Sequence, residues 1–286
     1  ETTDLTQRIR SQDKTINVMT DNDVDQVHPD SNGGFVMGYF FAKNAKLADG
    51  SAANSSVVAS VNIDAASNTL GEIVNAEAEL INASADSITY KYRPNALPMP
   101  VSSEYKYAED TLGLPVTEDL NKELITVTGL SDGNYKIMID GVDLTKTYTA
   151  DELASGVNIA TDKNNPGQIS ALASYEEICN KATIENYYRW IAQRFAAFMV
   201  YYPGAFTYDD LKAAIETKWA NNETRKENEL VALNEYFGKT TLSEYNIYKQ
   251  KPNQQEGWDL ITGYAAAAKE LAKPTEHTVV IAPVQE

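Results

Sequence analysis

The sequence predicts an α+β chain, strand-rich through its middle and helix-rich in its last third. Three observations carry that expectation. After a small-residue stretch at 48–56, the apolar pattern switches to a period of two, in Val57 to Asp64 and again in Ser87 to Tyr92. Two β-rich runs, Leu124 to Leu130 and Asn134 to Gly141, flank Asp132-Gly133. From Ser170 onward, apolar residues recur at helical spacing.

Thr2 to Arg10 reads as helical, with Leu5 and Ile9 four apart on one face. Ser11 to Ser31 is polar and rich in Asp and Asn, the composition of an irregular loop. Phe35 to Ala42 reads as a buried helix with Lys43 and Lys46 toward its C-terminal end. Ala48 to Ser56 is a linker and the preferred boundary. The period-two runs beyond it read as half-buried strands. Leu97-Pro98-Met99-Pro100 must be extended, because proline cannot donate to a ladder. The Asp132-Gly133 turn predicts a hairpin. Thr149-Ala150-Asp151-Glu152 is a capping box opening a short helix through Ala154. Helices are expected over Tyr175 to Tyr202, Tyr208 to Tyr236 and Gly257 to Ala272, and His277 to Ala282 as a last strand that can return to the sheet.

The chain has 286 residues, roughly two domains' worth at about 150 residues each. Its 24 Lys and Arg against 41 Asp and Glu give a net charge of −17. That balance argues against nucleic-acid binding and against docking on an anionic membrane surface. The longest apolar run, Phe195 to Tyr202, is far shorter than the roughly 20 residues that span a bilayer. A single cysteine, Cys179, excludes an intramolecular disulfide framework and a cysteine-cluster metal site. It reads as a small buried apolar residue. With only His28 and His277, a histidine-based metal site has little material, and no metal or cofactor is expected.

The residues best suited to chemistry are Asp25 and His28, in Asp25-Gln26-Val27-His28-Pro29. An Asp three residues before a His on one tight loop lets the carboxylate reach the imidazole Nδ1–H. That bond leaves Nε2 free as a general base and stabilises the imidazolium once a proton arrives. Pro29 stiffens the loop just after the base. The competing reading is a solvated loop histidine beside the acidic cluster Asp21, Asp23, Asp25 and Asp30. Tyr187-Tyr188 and Tyr201-Tyr202 could line a carbohydrate platform, although helical spacing favours packing. Trp190, Phe195, Phe198 and Met199 read as core.

Asp25 to Asp30, followed by Asn32-Gly33-Gly34-Phe35-Val36-Met37-Gly38, resembles the last block of the SGNH (GDSL-like) ester hydrolases. There an Asp, two residues, the base His, usually Pro, a polar turn, a Gly-His pair and an apolar closing helix follow in order. Here Gly34 is followed by Phe35 instead of His. Leu124 to Gly141 and Thr149 to Ala160 are similar to the C-terminal extension of a bacterial subgroup of that family. The resemblance runs to about residue 200 and implies His28 as base and Asp25 as its orienting acid. The family's nucleophilic Ser lies in a Gly-Asp-Ser motif ahead of these two, and its oxyanion donors include the Asn of a G-x-N motif. Only 24 residues precede Asp25, and no Gly-Asp-Ser occurs. Asp49-Gly50-Ser51 has the wrong order, and Gly156-Val157-Asn158 lies after the base, so neither substitutes.

On this reading, residues 1–48 are the C-terminal tail of an α/β/α hydrolase domain. Residues 57–165 form a β-rich accessory region, and residues 166–286 a mainly helical region with a final strand. The parent protein is expected to be an esterase, lipase or acylhydrolase, its serine supplied by a missing N-terminal portion. This chain alone is then nearly inert. The resemblance suggests an acylated carbohydrate as the ester substrate and a secreted or periplasmic location. The missing portion, or another copy of the chain, is the expected protein partner. Phe35, Tyr39 and Phe40 should then lack cover from the chain's own later residues. The alternative, from another class, is a non-catalytic binding or scaffold module whose Asp25 and His28 are a relic.

Overall fold

Strand alternation and helix caps together build two sheets and two sets of helices. The computed structural model describes residues 2–13, 16, 18, 29–53, 55–205, 207–238 and 254–284. The fold is α+β and divides into two units. The first comprises Glu1–Tyr175 with Glu270–Glu286, and the second Glu176–Lys269.

The first unit holds two sheets. One has the order β2-β1-β5-β8, from Thr69–Val74 (β2), Val57–Asp64 (β1), Lys122–Thr128 (β5) and Val157–Asn158 (β8). The other has the order β3-β4-β9-β6-β7, from Ala76–Ala83 (β3), Ile88–Pro94 (β4), His277–Pro283 (β9), Asn134–Ile139 (β6) and Val142–Thr149 (β7). β1 and β5 run parallel, while β9 pairs antiparallel with both β4 and β6. The inward residues of both sheets, among them Val61, Ile63, Tyr90, Ile125, Val127, Ile137 and Ile281, form one apolar core. That is the pattern expected of facing sheets.

The Asp132-Gly133 hairpin expected from sequence does not form. β5 and β6 lie in different sheets, so this turn carries the chain from one sheet to the other. The hairpin is instead β6–β7, closed by Asp140 (φ 50°) and Gly141 (φ 84°), with Ile139 paired to Val142. Two positive φ values in succession are what a two-residue turn requires to match strand twist. β3 lacks a strand-like composition because Ala, Glu and Asn dominate it, and β2 is broken by Gly71 and Glu72; most residues of both strands are exposed or half-buried.

One inward position in this core is an acid. Glu123 shares a face of β5 with Ile125 and Val127 and is only 3% exposed. Its Oε1 accepts from the Tyr92 hydroxyl (2.9 Å) and its Oε2 from Asn165 Nδ2 (2.7 Å). Burial raises the carboxyl's pKa, although both hydrogen bonds and the nearby His277 pull the other way. Burial, reinforced by the Glu123 charge, also raises Tyr90 and Tyr92.

Side-chain amides complete the surroundings. Among the described residues, no strand pairs with the extended segment around Pro98 and Pro100. Instead, Asn121 Oδ1 accepts from Met99 N–H (2.8 Å), Gln168 Nε2 donates to Met99 O (3.0 Å), and Gln168 Oε1 accepts from Val101 N–H (2.8 Å). Asn158 Oδ1 accepts from the backbone of Glu123 and Ala160, and its Nδ2 donates to Asn121 O.

A second core in this unit is helical. It joins α1 (Thr2–Gln12), α2 (Ser31–Asn44), α3 (Ser103–Lys106), a π-helical turn at Tyr107–Thr111, and α4 (Val116–Leu120). Leu5 and Ile9 are buried in it, as their spacing predicts. The expected capping box is present at Thr149 and Glu152, ahead of α5 (Ala150–Ser155).

The long helix α6 (Pro166–Tyr201) belongs to the first unit through Tyr175. It starts earlier than predicted, with Asn165 Oδ1 capping Gly167 N–H (2.8 Å) and proline in the first turn. In the second unit the helix expected over Tyr208 to Tyr236 is two helices, α7 (Tyr208–Lys218) and α8 (Glu223–Gly238). The break is capped by Asn222, whose Oδ1 accepts from Arg225 N–H (3.1 Å). Phe198, Tyr202, Leu211, Ile215 and Leu233 form this unit's core. α9 spans Gln254–Leu271. Cys179, expected to be buried, is exposed on α6. No described helix is long and apolar enough to cross a membrane.

Glu123→Gln is expected to remove one pH dependence. Because the native pKa is raised, the folded chain holds more protons than the unfolded chain above the ordinary value of 4.5. Native stability therefore falls as pH rises from there to the native pKa. Urea midpoints from about pH 4 to about pH 8 should show the parent-minus-variant difference declining across that window. A flat difference overturns the assignment.

Candidate functional site

Asp25 and His28, the expected acid and base, lie outside the described residues, as do Asp21 and Asp23. The chain is described again from Pro29 and Asp30, at the start of α2. Asp30 is the N-cap of α2. Its extended backbone (φ −77°, ψ −170°) lets the carboxylate accept from Gly33 N–H at 2.6 Å, which satisfies one open donor of the first turn.

The body of α2 is fixed against residues 101–120. Val36 and Tyr39 are buried among Tyr105, Ala108, Leu112 and Val116, and Phe35 meets Tyr105 edge-on with ring centroids 5.9 Å apart. The Tyr39 hydroxyl donates to Asp119, which also accepts from Lys43 Nζ at 2.6 Å. Burial, with the Asp119 hydrogen bond adding to it, pushes the Tyr39 phenol up to about 12. At Asp119 burial opposes ionisation, but hydrogen bonds from Lys43 and Tyr39 outweigh it and the pKa falls. Glu104 behaves alike: burial opposes ionisation, and hydroxyls of Ser102, Ser103 and Ser31 more than compensate. Ser31 opens α2, so this acid sits at the N-terminal end of that helix.

The expectation that Phe35, Tyr39 and Phe40 would lack cover is therefore corrected. Tyr39 is 3% exposed, Phe35 and Phe40 are partly buried, and the residues covering them come from this chain's own later segments. The physical reason is the apolar surface of α3, the π turn and α4, which the sequence reading left unassigned.

The structure also pairs an acid with the other histidine. Asp140 Oδ2 lies 2.7 Å from His277 Nδ1, and Asp140 Oδ1 accepts from Thr278 N–H at 2.8 Å. His277 Nε2 meets the Thr275 hydroxyl at 3.1 Å. Burial works against the Asp140 carboxylate, but its bonds to His277 and Thr278 carry the pKa below the ordinary value. The pair repeats the carboxylate–imidazole relation expected at residues 25 and 28, yet it clasps the β6–β7 turn to β9. Sequence reasoning missed it because the partners are 137 positions apart. The Asp-Gly at 140–141 and the scarcity of histidine were the available signals.

Asn158, rejected above as an oxyanion donor, has its side chain taken up by the structural bonds around Glu123. Among the described residues, no group of three or more His, Cys, Asp or Glu could hold a metal ion.

No family model matches the sequence, and a search of curated proteins finds no match. Among solved structures, the chain is similar to BT4096, a gut microbial diltiazem-metabolizing enzyme, with a TM-score of 0.70 and 22% sequence identity. The likeness covers 98% of this chain and 60% of that one, so the present chain spans less than two thirds of the length of the structure it matches. At this identity the likeness shows the fold.

Tyr39→Phe removes the phenolic donor to Asp119 while keeping the ring in place. The expected cost is about 1–2 kcal/mol, read as a lower urea midpoint and faster amide exchange in α2. An unchanged midpoint would mean that apolar packing alone holds this helix.

Proposed function

We propose that this chain carries the acid–base part of an ester hydrolase of the SGNH (GDSL-like) type. The observation that carries the reading is the Asp25-Gln26-Val27-His28-Pro29 sequence directly ahead of α2, whose first turn is capped by Asp30. The fold shared with a diltiazem-metabolizing enzyme supports it, since diltiazem is an ester-containing drug.

In this mechanism His28 Nε2 takes the proton of a serine hydroxyl as that oxygen attacks the ester carbonyl. Asp25 holds Nδ1–H and stabilises the imidazolium. The proton then passes to the leaving alcohol, and a water activated by the same imidazole hydrolyses the acyl-enzyme. The serine and its oxyanion donors would come from a segment outside this sequence. Neither a metal nor an organic cofactor is required by these steps. An acylated carbohydrate is the substrate class the family resemblance suggests.

The test uses an aryl acetate with the full polypeptide as encoded and with this chain alone. In the full polypeptide, His28→Ala should lower kcat/KM by at least about a thousandfold, and Asp25→Ala should also be strongly impaired. This chain alone should show no turnover that depends on His28. A full polypeptide whose activity is indifferent to both substitutions overturns the reading, as does a coding sequence with no serine motif upstream.

A further inference from the structure

An open groove of about 450 Å³ is lined by residues of β7, α5 and β8. β7 and β8 are each the last strand of their sheet, so the groove lies where neither ladder continues.

Its walls are held in place before any ligand arrives. Along β7, Lys136 pairs with Thr147 and Met138 with Asp143, so two steps on β6 match four on β7. This bulge frees Thr145 N–H from the ladder, and Asp162 takes it at 2.8 Å together with the Thr145 hydroxyl at 2.5 Å. Bulges of this kind redirect neighbouring side chains, and Lys146 is the next residue. The capping box sets the start of α5. Gly156 ends α5 at φ 91°, where a Cβ would stand 3.0 Å from Thr126 Oγ1. Asn158 is tied down by its structural bonds.

Against these fixed walls stand polar groups with nothing to bind. Lys146 and Asp151 line the groove, and among the described residues neither side chain has an ion pair or hydrogen-bond partner. Tyr148 is half-buried, and its hydroxyl likewise has no partner. Ser155 Oγ donates to Asp151 O at 2.9 Å, which leaves its own lone pairs free to accept.

We propose that this groove binds a neutral saccharide. Adjacent sugar hydroxyls can donate to the Asp151 carboxylate and accept from Lys146, so a neutral polyol satisfies both charges without carrying one. The apolar face of a pyranose can pack on the Tyr148 ring, and the Tyr148 hydroxyl supplies a further donor. A simple anion would satisfy Lys146 but face Asp151 and Glu152, and a simple cation would face Lys146. Preformed walls lower the ordering cost that a weak ligand must overcome. The proposal rests on no part of the hydrolase reading, because it needs neither the serine nor His28.

The test is an amide-shift titration of the isotope-labelled chain with cellobiose, maltose and N-acetylglucosamine, and in a separate arm with inorganic phosphate. At least one saccharide should move the amides of residues 146–158, with a dissociation constant on the order of 1 mM. Asp151→Asn, at an exposed position, should weaken that binding at least about tenfold. Tyr148→Ala should do the same, whereas Tyr148→Phe retains the ring and most of the affinity. Three outcomes overturn the proposal: no saccharide-induced shift up to about 100 mM, an affinity unchanged by Asp151→Asn, or phosphate binding in the groove in place of sugar. Each is read without an activity assay, so it leaves the ester-hydrolase reading to its own experiment.

Discussion

Glu123 occupies a position that strand alternation reserves for an aliphatic side chain, and its two oxygens are met by Tyr92 of β4 and by Asn165 at the head of α6. A carboxyl group taken out of water is tolerated only with such partners, and removing one partner leaves a buried polar group unsatisfied. Three elements from distant parts of the sequence are thereby required to meet: one strand from each sheet and the start of the longest described helix. Asn165 donates its amide N–H to the acid and accepts from Gly167 N–H on its amide oxygen, so the same side chain that satisfies the core also begins α6.

From this centre a chain of contacts leads outward to α2, the helix that follows Asp25 and His28 in sequence. Asn158 holds the backbone of Glu123 and reaches Asn121 O. The Asn121 side chain binds Met99 on both its backbone groups and donates to the Tyr105 hydroxyl at 3.2 Å. Tyr105 packs against Phe35 of α2. Side-chain amides take the place of a missing strand beside the proline-containing segment, since each offers a donor and an acceptor as a peptide group does. The helix that follows Asp25 and His28 is thus held by the same polar framework that holds the sheets.

Much of this architecture was legible in the sequence. Period-two runs located β1, β4 and β9, the Thr149–Glu152 box located α5, and Leu5 and Ile9 marked the buried face of α1. What was not legible were decisions made by distant partners. Asp132-Gly133 and Asp140-Gly141 are alike as dipeptides, and only pairing with β9 decides that the second closes a hairpin while the first crosses between sheets. The polar core was hidden because Asn121, Glu123, Asn165 and Gln168 show no periodicity, and each reads locally as a loop or cap residue. The proposed acid and base, Asp25 and His28, were named from spacing and family resemblance. The Asp140–His277 pair was not, because its partners meet only once the sheet has formed.

The place of β9 has a consequence for how such a chain matures. This strand lies between β4 and β6, yet it is the last described strand in sequence, separated from β7 and β8 by the described helices α6 to α9. During synthesis, β4 and β6 emerge long before the strand that bridges them, and each waits with an open edge of the kind that invites pairing with other chains. Closure demands contacts of very long sequence separation, which are slow to form. A nascent chain of this design therefore carries both open edges until residues 277–283 arrive to join them.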